Sequence, residues 1–113
     1  MEPNFIIVKR PEPIALLLEK FPELQDLQQY ADMGSYYVYN RFAEHLRSQP
    51  DDEQLWRRAC GLFDMLATGG SDLEDLLGDV FESLRMDATI AAKLKAGVGP
   101  AVARLLTERP GLL

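Results

Sequence analysis

The stretch MGSYYVYNRFAEHL, residues 33–46, sets three tyrosines, Asn40, Arg41 and the only histidine of the chain, His45, in one run. A histidine there could serve as a general base if the neighbouring polar groups converged with it on a pocket. The spacing speaks for packing instead. Val38, Phe42 and Leu46 recur every four residues with Tyr39 and Ala43 beside that row, the pattern of a helix with a wide apolar face. The strand propensity of YYVY yields to that continuation. Tyr37, Arg41, Glu44 and Ser48 then fall on the opposite, wet side, while Tyr36 and Asn40 lie one turn apart on the flank. A phenol or an amide so placed reaches a partner while the ring body stays packed. His45 has no second His or Cys within helical reach, so a metal site lacks ligands there. Glu44 adjoins it in sequence, but consecutive helical residues point about 100° apart.

A second candidate is the row Asp72, Asp75, Asp79 and Glu82, on the side of SDLEDLLGDVFESL opposite its leucines. Paired carboxylates serve glycosidases and two-metal centres, but those sites sit in clefts, and this row is expected on the outside of an amphipathic helix. Without Lys or Arg four residues on, the carboxylates repel one another and do not stabilise their own helix. The row reads either as a solvated face or as an acidic docking surface that speeds encounter with a cationic partner. Cys60 has no base placed for it and reads as core. AGVGP, residues 96–100, lacks the spacing and the preceding strand of a phosphate loop, so capping and turning explain it.

The elements that carry these residues are helical from Pro13 onward. Pro13 and Pro22 suit first turns, giving helices over IALLLEKF and PELQDLQQYADM. A third begins at Ser35. A fourth follows QPDDEQLW, with Asp51 as cap and Gln54 three residues on, and runs to Gly69-Gly70. In the fifth, Ser71 and Glu74 form a capping box, and Leu73, Leu76, Leu77, Val80, Phe81 and Leu84 follow the i, i+3, i+4, i+7 rhythm of one buried face. Asp87 caps ATIAAKLKA, Gly97 ends it, and Pro100 opens PAVARLLTER before Pro110-Gly111. The fourth helix, with Trp56 at its start, is apolar around much of its girth and is expected at the centre. Gly61 inside it points to the close approach of a neighbour. The expected fold is all-α: one domain over residues 1–113, five to seven short helices, with residues 1–12 as an extended arm.

With 113 residues and a net charge of −6, one core and no obligatory disulfide or structural metal are expected. Sixteen acidic and seven basic residues up to Leu84 give −9, whereas two acidic and five basic from Arg85 give +3. That balance disfavours nucleic acid, which needs clustered Lys and Arg, and favours a basic protein as partner. FIIV, residues 5–8, is far shorter than the roughly 20 apolar residues of a membrane span. The lone Cys60 forms no internal disulfide and no signal peptide is visible, so the cytoplasm is the expected compartment.

The segments VYNRFAEHL, LFDMLATGGSDLEDLLGDVFESL and GVGPAVARLL, together spanning Val38 to Leu106, resemble a family of small stand-alone bacterial helical domains without assigned activity. Some of these are thought to be immunity proteins of polymorphic toxin systems. The resemblance implies the helical fold and carries over no catalytic residues.

The expectation is a binding protein rather than an enzyme, without cofactor or metal. It would be an acidic immunity-type protein that occludes a toxin, with Asp72, Asp75, Asp79, Glu82, Tyr36 and Asn40 as the partner-binding residues. The acidic turn at Asp51, Asp52 and Glu53 would add to steering, and a Tyr or Trp would be the buried anchor. The alternative is a structural or regulatory subunit that self-associates through an apolar helix face.

Overall fold

Glu12 starts the helical body by turning its carboxylate back on Ile14, whose backbone N donates to both oxygens at 3.1 and 3.2 Å. This is the side-chain cap that a helix opening with Pro13 lacks from its own backbone. The computed structural model describes residues 12–113. The arm expected over 1–12 therefore lies, but for Glu12, outside the described residues.

Helix α1 spans Pro13–Lys20, a 3-10 segment follows over Pro22–Met33, and then come α2 (Ser35–Arg47), α3 (Glu53–Ala67), α4 (Ser71–Leu84), α5 (Ala88–Gly97) and α6 (Pro100–Glu108). A last 3-10 turn covers Pro110–Leu112. There is no strand among the described residues, so the fold is all-α.

Helix α3 is the hub. It packs against α1, α4, α5 and α6, and it buries Leu55, Trp56, Ala59, Cys60, Leu62, Phe63, Leu66 and Ala67. A chain of rings ties three helices and the junction after α1 through the core. Phe21 meets Phe42 at 4.8 Å between centroids, Phe42 meets Phe63 at 6.3 Å, and Phe63 meets Phe81 edge-on at 5.3 Å. These tilted and edge-to-face geometries are the ones aromatic quadrupoles favour. Tyr39 sits fully buried among them with its hydroxyl donating to the carbonyl of Pro13 at 2.6 Å. That bond fixes α2 against the first turn of α1.

Four local expectations need correction. PELQDLQQYADM is a 3-10 segment and not an α-helix, with a kink at Leu24. Its half-buried residues Leu24, Leu27 and Tyr30 repeat every three positions, the period at which 3-10 geometry stacks side chains on one edge. The cap of α3 is Asp52, not Asp51: its carboxylate accepts from the backbone N of Leu55 at 3.1 Å. The indole of Trp56 donates to the carbonyl of Gln49 at 2.8 Å, and this draws the turn in so that Asp52 is its last extended residue. Ser71 does not cap α4 but is its first helical residue. Gly70 precedes it at φ 100° and ψ 175°, a backbone region open in practice to glycine alone, so the helix begins one residue earlier than a serine cap would allow. Gly61 faces open space, and a methyl there would meet nothing within 4 Å. Gly97 of α5 lies beside α3 instead, where an added Cβ would make ordinary contact with Cys60 Sγ at 3.4 Å.

Cys60 is 8% exposed, and burial raises its thiol pKa above the ordinary value. It belongs to the core, as its spacing implied.

Candidate functional site

Both helices that carry the predicted partner-binding residues start after a glycine with positive φ, Gly34 at 97° and Gly70 at 100°. Those turns set α2 and α4 side by side, the most extensively packed pair of elements in the fold. Val38 and Phe42 of α2 and Leu73, Leu77 and Phe81 of α4 are all buried in the one hydrophobic core. The flanks meet at the surface.

There the structure brings Tyr36 and Asn40 of α2 to Asp72, Asp75 and Asp79 of α4. Asn40 Nδ2 donates to Asp79 Oδ2 at 3.3 Å and to the carbonyl of Tyr36 at 3.1 Å. Tyr36 keeps 45% of its surface exposed. Its pKa lies above the usual phenol value, first because of partial burial and then because Asp75, Asp79 and Asp72 oppose a phenolate beside them. Two shallow depressions flank it. One, of about 500 Å³, runs from Glu12 and Pro13 past Ser35 and Tyr36 to Asp72 and Asp75. The other, of about 340 Å³, runs from Tyr36 and Asp75 past Asp79 to Glu82 and the C-terminal turn. Tyr36 and Asp75 border both. All six predicted residues therefore lie on one continuous face.

That face differs from the expected all-anionic stripe. Asp79 is half-buried where α2 meets α4, not turned wholly outward. Asp75 is paired with Arg109 from beyond α6, at 3.5 Å. No spacing within the helix could supply these partners, because they arrive from 39 residues upstream and from the far end of the chain.

The polar residues of the α2 run do not converge. Arg41 turns away from the acidic face, donates to the hydroxyl of Tyr30 at 2.8 Å, and lies over that ring at 4.7 Å from its centroid. Tyr37 completes the stack, 5.4 Å from Tyr30. Tyr37 and Arg41, expected wet, are half-buried because the 3-10 segment covers them. Neither depression beside Tyr36 reaches Arg41 or His45. The Asp51, Asp52, Glu53 turn leads into α3, where Asp52 is engaged as its cap. Among the described residues no group of three or more His, Cys, Asp or Glu is arranged to hold a metal ion, and no helix is long and apolar enough to cross a membrane.

Sequence reading missed Asp64. Its Oδ1 accepts from the backbone N of Ala101 at 2.8 Å and of Val102 at 3.0 Å. The N-terminus of α6 has no side-chain cap of its own, so α3 provides one. The same contact explains AGVGP. A Cβ on Gly99 would lie 2.7 Å from Asp64 Oδ1, so the glycine makes room for the carboxylate. The donors a phosphate would need at that helix start are already taken by Asp64. A second distant clamp joins α3 to the 3-10 segment. Arg58 donates to both carboxylate oxygens of Glu23 and, at 3.2 Å, to the carbonyl of Lys20, with its guanidinium 4.6 Å from the centre of the Phe21 ring.

Compared with protein-family models, with curated proteins and with solved structures, the chain finds no match.

Proposed function

We propose that this chain is a protein-binding domain, not an enzyme, that takes a basic protein on the α2/α4 face. Within that class we propose a bacterial immunity-type protein, acting in the cytoplasm, that neutralises a toxin by covering it. The observation that carries the reading is the position of Tyr36, a half-exposed ring set among Asp72, Asp75 and Asp79 between two depressions. An aromatic side chain that is already held by its own helix and ringed by carboxylates is suited to anchor a cationic surface. The carboxylates accelerate and orient the encounter. The resemblance of residues 38–106 to helical domains that include suspected immunity proteins is the support for the narrower class.

Self-association through an apolar face draws less support. The exposed large apolar side chains among the described residues are few: Met33 and Tyr36 about the start of α2, Met65 near the end of α3 and Met86 just past α4.

The test begins with the domain as bait in cell lysate at low salt. A basic protein should be retained, its affinity for the purified domain should fall as ionic strength rises, and an Asp75→Asn/Asp79→Asn bait should lose it. Affinity indifferent to salt, or full retention by the double variant, would sink the proposal.

A further inference from the structure

Resting on that reading of the α2/α4 face, we infer that residues 109–112 form an intramolecular strap over its lower half, and that a partner surface presenting an arginine and a nearby aliphatic side chain displaces it. Three contacts seat the strap. Arg109 pairs with Asp75 at 3.5 Å. Leu112 packs so close to Gly78 of α4 that a Cβ there would stand 3.1 Å from its Cδ2. The guanidinium of Arg85, just past the end of α4, donates to the carbonyl of Gly111.

The depression beneath is thus walled by Asp75, Asp79 and Glu82 on one side and by Arg109, Gly111 and Leu112 on the other. The chain has laid on its own acidic face a cation with an aliphatic residue three positions later. The chemistry of this internal ligand names the external one: a basic segment with an aliphatic neighbour.

The strap is also built to leave. The side chains of Arg109 and Asp75 are 43% and 60% exposed, and ion pairs so exposed are weak and screened by salt. Gly78 matters because a larger residue would push Leu112 off its seat. A partner arginine entering at Asp75 repeats the interaction it removes, so the exchange is nearly balanced and the remaining contacts, with Tyr36 above all, decide it.

The experiment uses a fluorescently labelled hexa-arginine peptide, followed by anisotropy at low salt, together with amide hydrogen exchange at Leu112, whose N–H donates to the carbonyl of Arg109 at 3.1 Å within the strap. The Arg109→Gln/Leu112→Ser variant should bind the peptide up to about fivefold tighter than the parent, the upper bound for releasing an exposed ion pair. Arg57→Gln, which changes charge equally on the exposed side of α3, controls for net charge and should bind less tightly than the strap variant. Peptide added to the parent should speed exchange at Leu112. If the peptide binds the parent, depends on Asp75 and Asp79, yet binds the strap variant no tighter than Arg57→Gln and leaves Leu112 protected, the strap is overturned and the partner face stands. If it binds neither the parent nor the strap variant, both fall.

Discussion

Asp64 caps a helix to which it does not belong: its Oδ1 lies 2.8 Å from the backbone N of Ala101, two residues into α6 and 37 positions along the chain. Two of the backbone donors that every helix start leaves unsatisfied are thereby met by the central helix. The contact locks α6 onto α3 at one depth and one rotation. Asp64→Ala should therefore destabilise the fold by about 1–2 kcal/mol, the range for losing an N-cap, and Gly99→Ala should do so as well by forcing the carboxylate aside. Denaturant unfolding of each variant checks this. In the double variant the two losses should fall short of their sum, because both remove one contact.

Glycine substitutions should have opposite signs at two positions. Gly61 lies in α3 with open space around it, so Gly61→Ala should stabilise by about 0.5–1 kcal/mol through helix propensity and a less flexible unfolded chain. Gly70 stands at φ 100° and ψ 175°, so Gly70→Ala should destabilise by about 1–3 kcal/mol. Thermal melts of the pair suffice. A loss at Gly61 would mean that a neighbour approaches there after all.

Tyr39→Phe removes the hydroxyl that reaches Pro13 while keeping the ring in the core. The expected loss is about 1 kcal/mol, the net value of an intramolecular hydrogen bond. The same change leaves the α2/α4 face untouched, so partner binding measured on folded protein should not move.

The Glu23–Arg58 clamp gives a dependence on pH with a definite sign. The Arg58 hydrogen bond is the main cause holding the Glu23 carboxyl below its ordinary pKa. A carboxylate whose pKa is lower in the folded state contributes its full stability above the unfolded value and loses it as the pH falls through the folded one. Arg58→Gln should thus be less stable than the parent near neutrality, by under about 1 kcal/mol for a pair this exposed. The gap should narrow once the pH drops below about 4, where unfolded glutamate itself protonates. Urea unfolding across that window measures it, and a gap that stays constant would assign the effect to packing on Phe21.

The electrostatics of the candidate face can be read at Tyr36 itself. Burial is the first cause of its raised pKa, ahead of each of Asp75, Asp79 and Asp72 taken singly. Asp75→Asn/Asp79→Asn should bring the phenol midpoint down without returning it to the ordinary value. Ring resonances of Tyr36 followed by NMR through alkaline pH would show it.

Much of the candidate face was legible in the sequence, and for a local reason. Tyr36 and Asn40 share a flank because they are one turn apart, and Asp72, Asp75, Asp79 and Glu82 share a side by the same period. That the two sets would meet was not legible. It follows from how α2 and α4 turn toward each other, and the bond from Asn40 to Asp79 spans 39 residues. Nor was the cation beside Asp75 legible: Arg109 comes from outside the helix, where no i+4 spacing could announce it.

Apolar periodicity, prolines and glycines determined by themselves that the chain from Pro13 onward is helical, roughly where its helices lie, and that the helix with Trp56 near its start is central, because those signals act over a few residues. They overreached where two local rules competed, as at Ser71 against Gly70 and in the three-residue repeat of Leu24, Leu27 and Tyr30. The tertiary structure alone decided which carboxylate caps α6, which arginine clamps the 3-10 segment, and which cation stands beside Asp75. Asp64, Arg58 and Arg109 look like ordinary surface charges in the sequence. Their partners lie 37, 35 and 34 positions away, and only the packing of the core brings those distances within reach of a hydrogen bond or an ion pair.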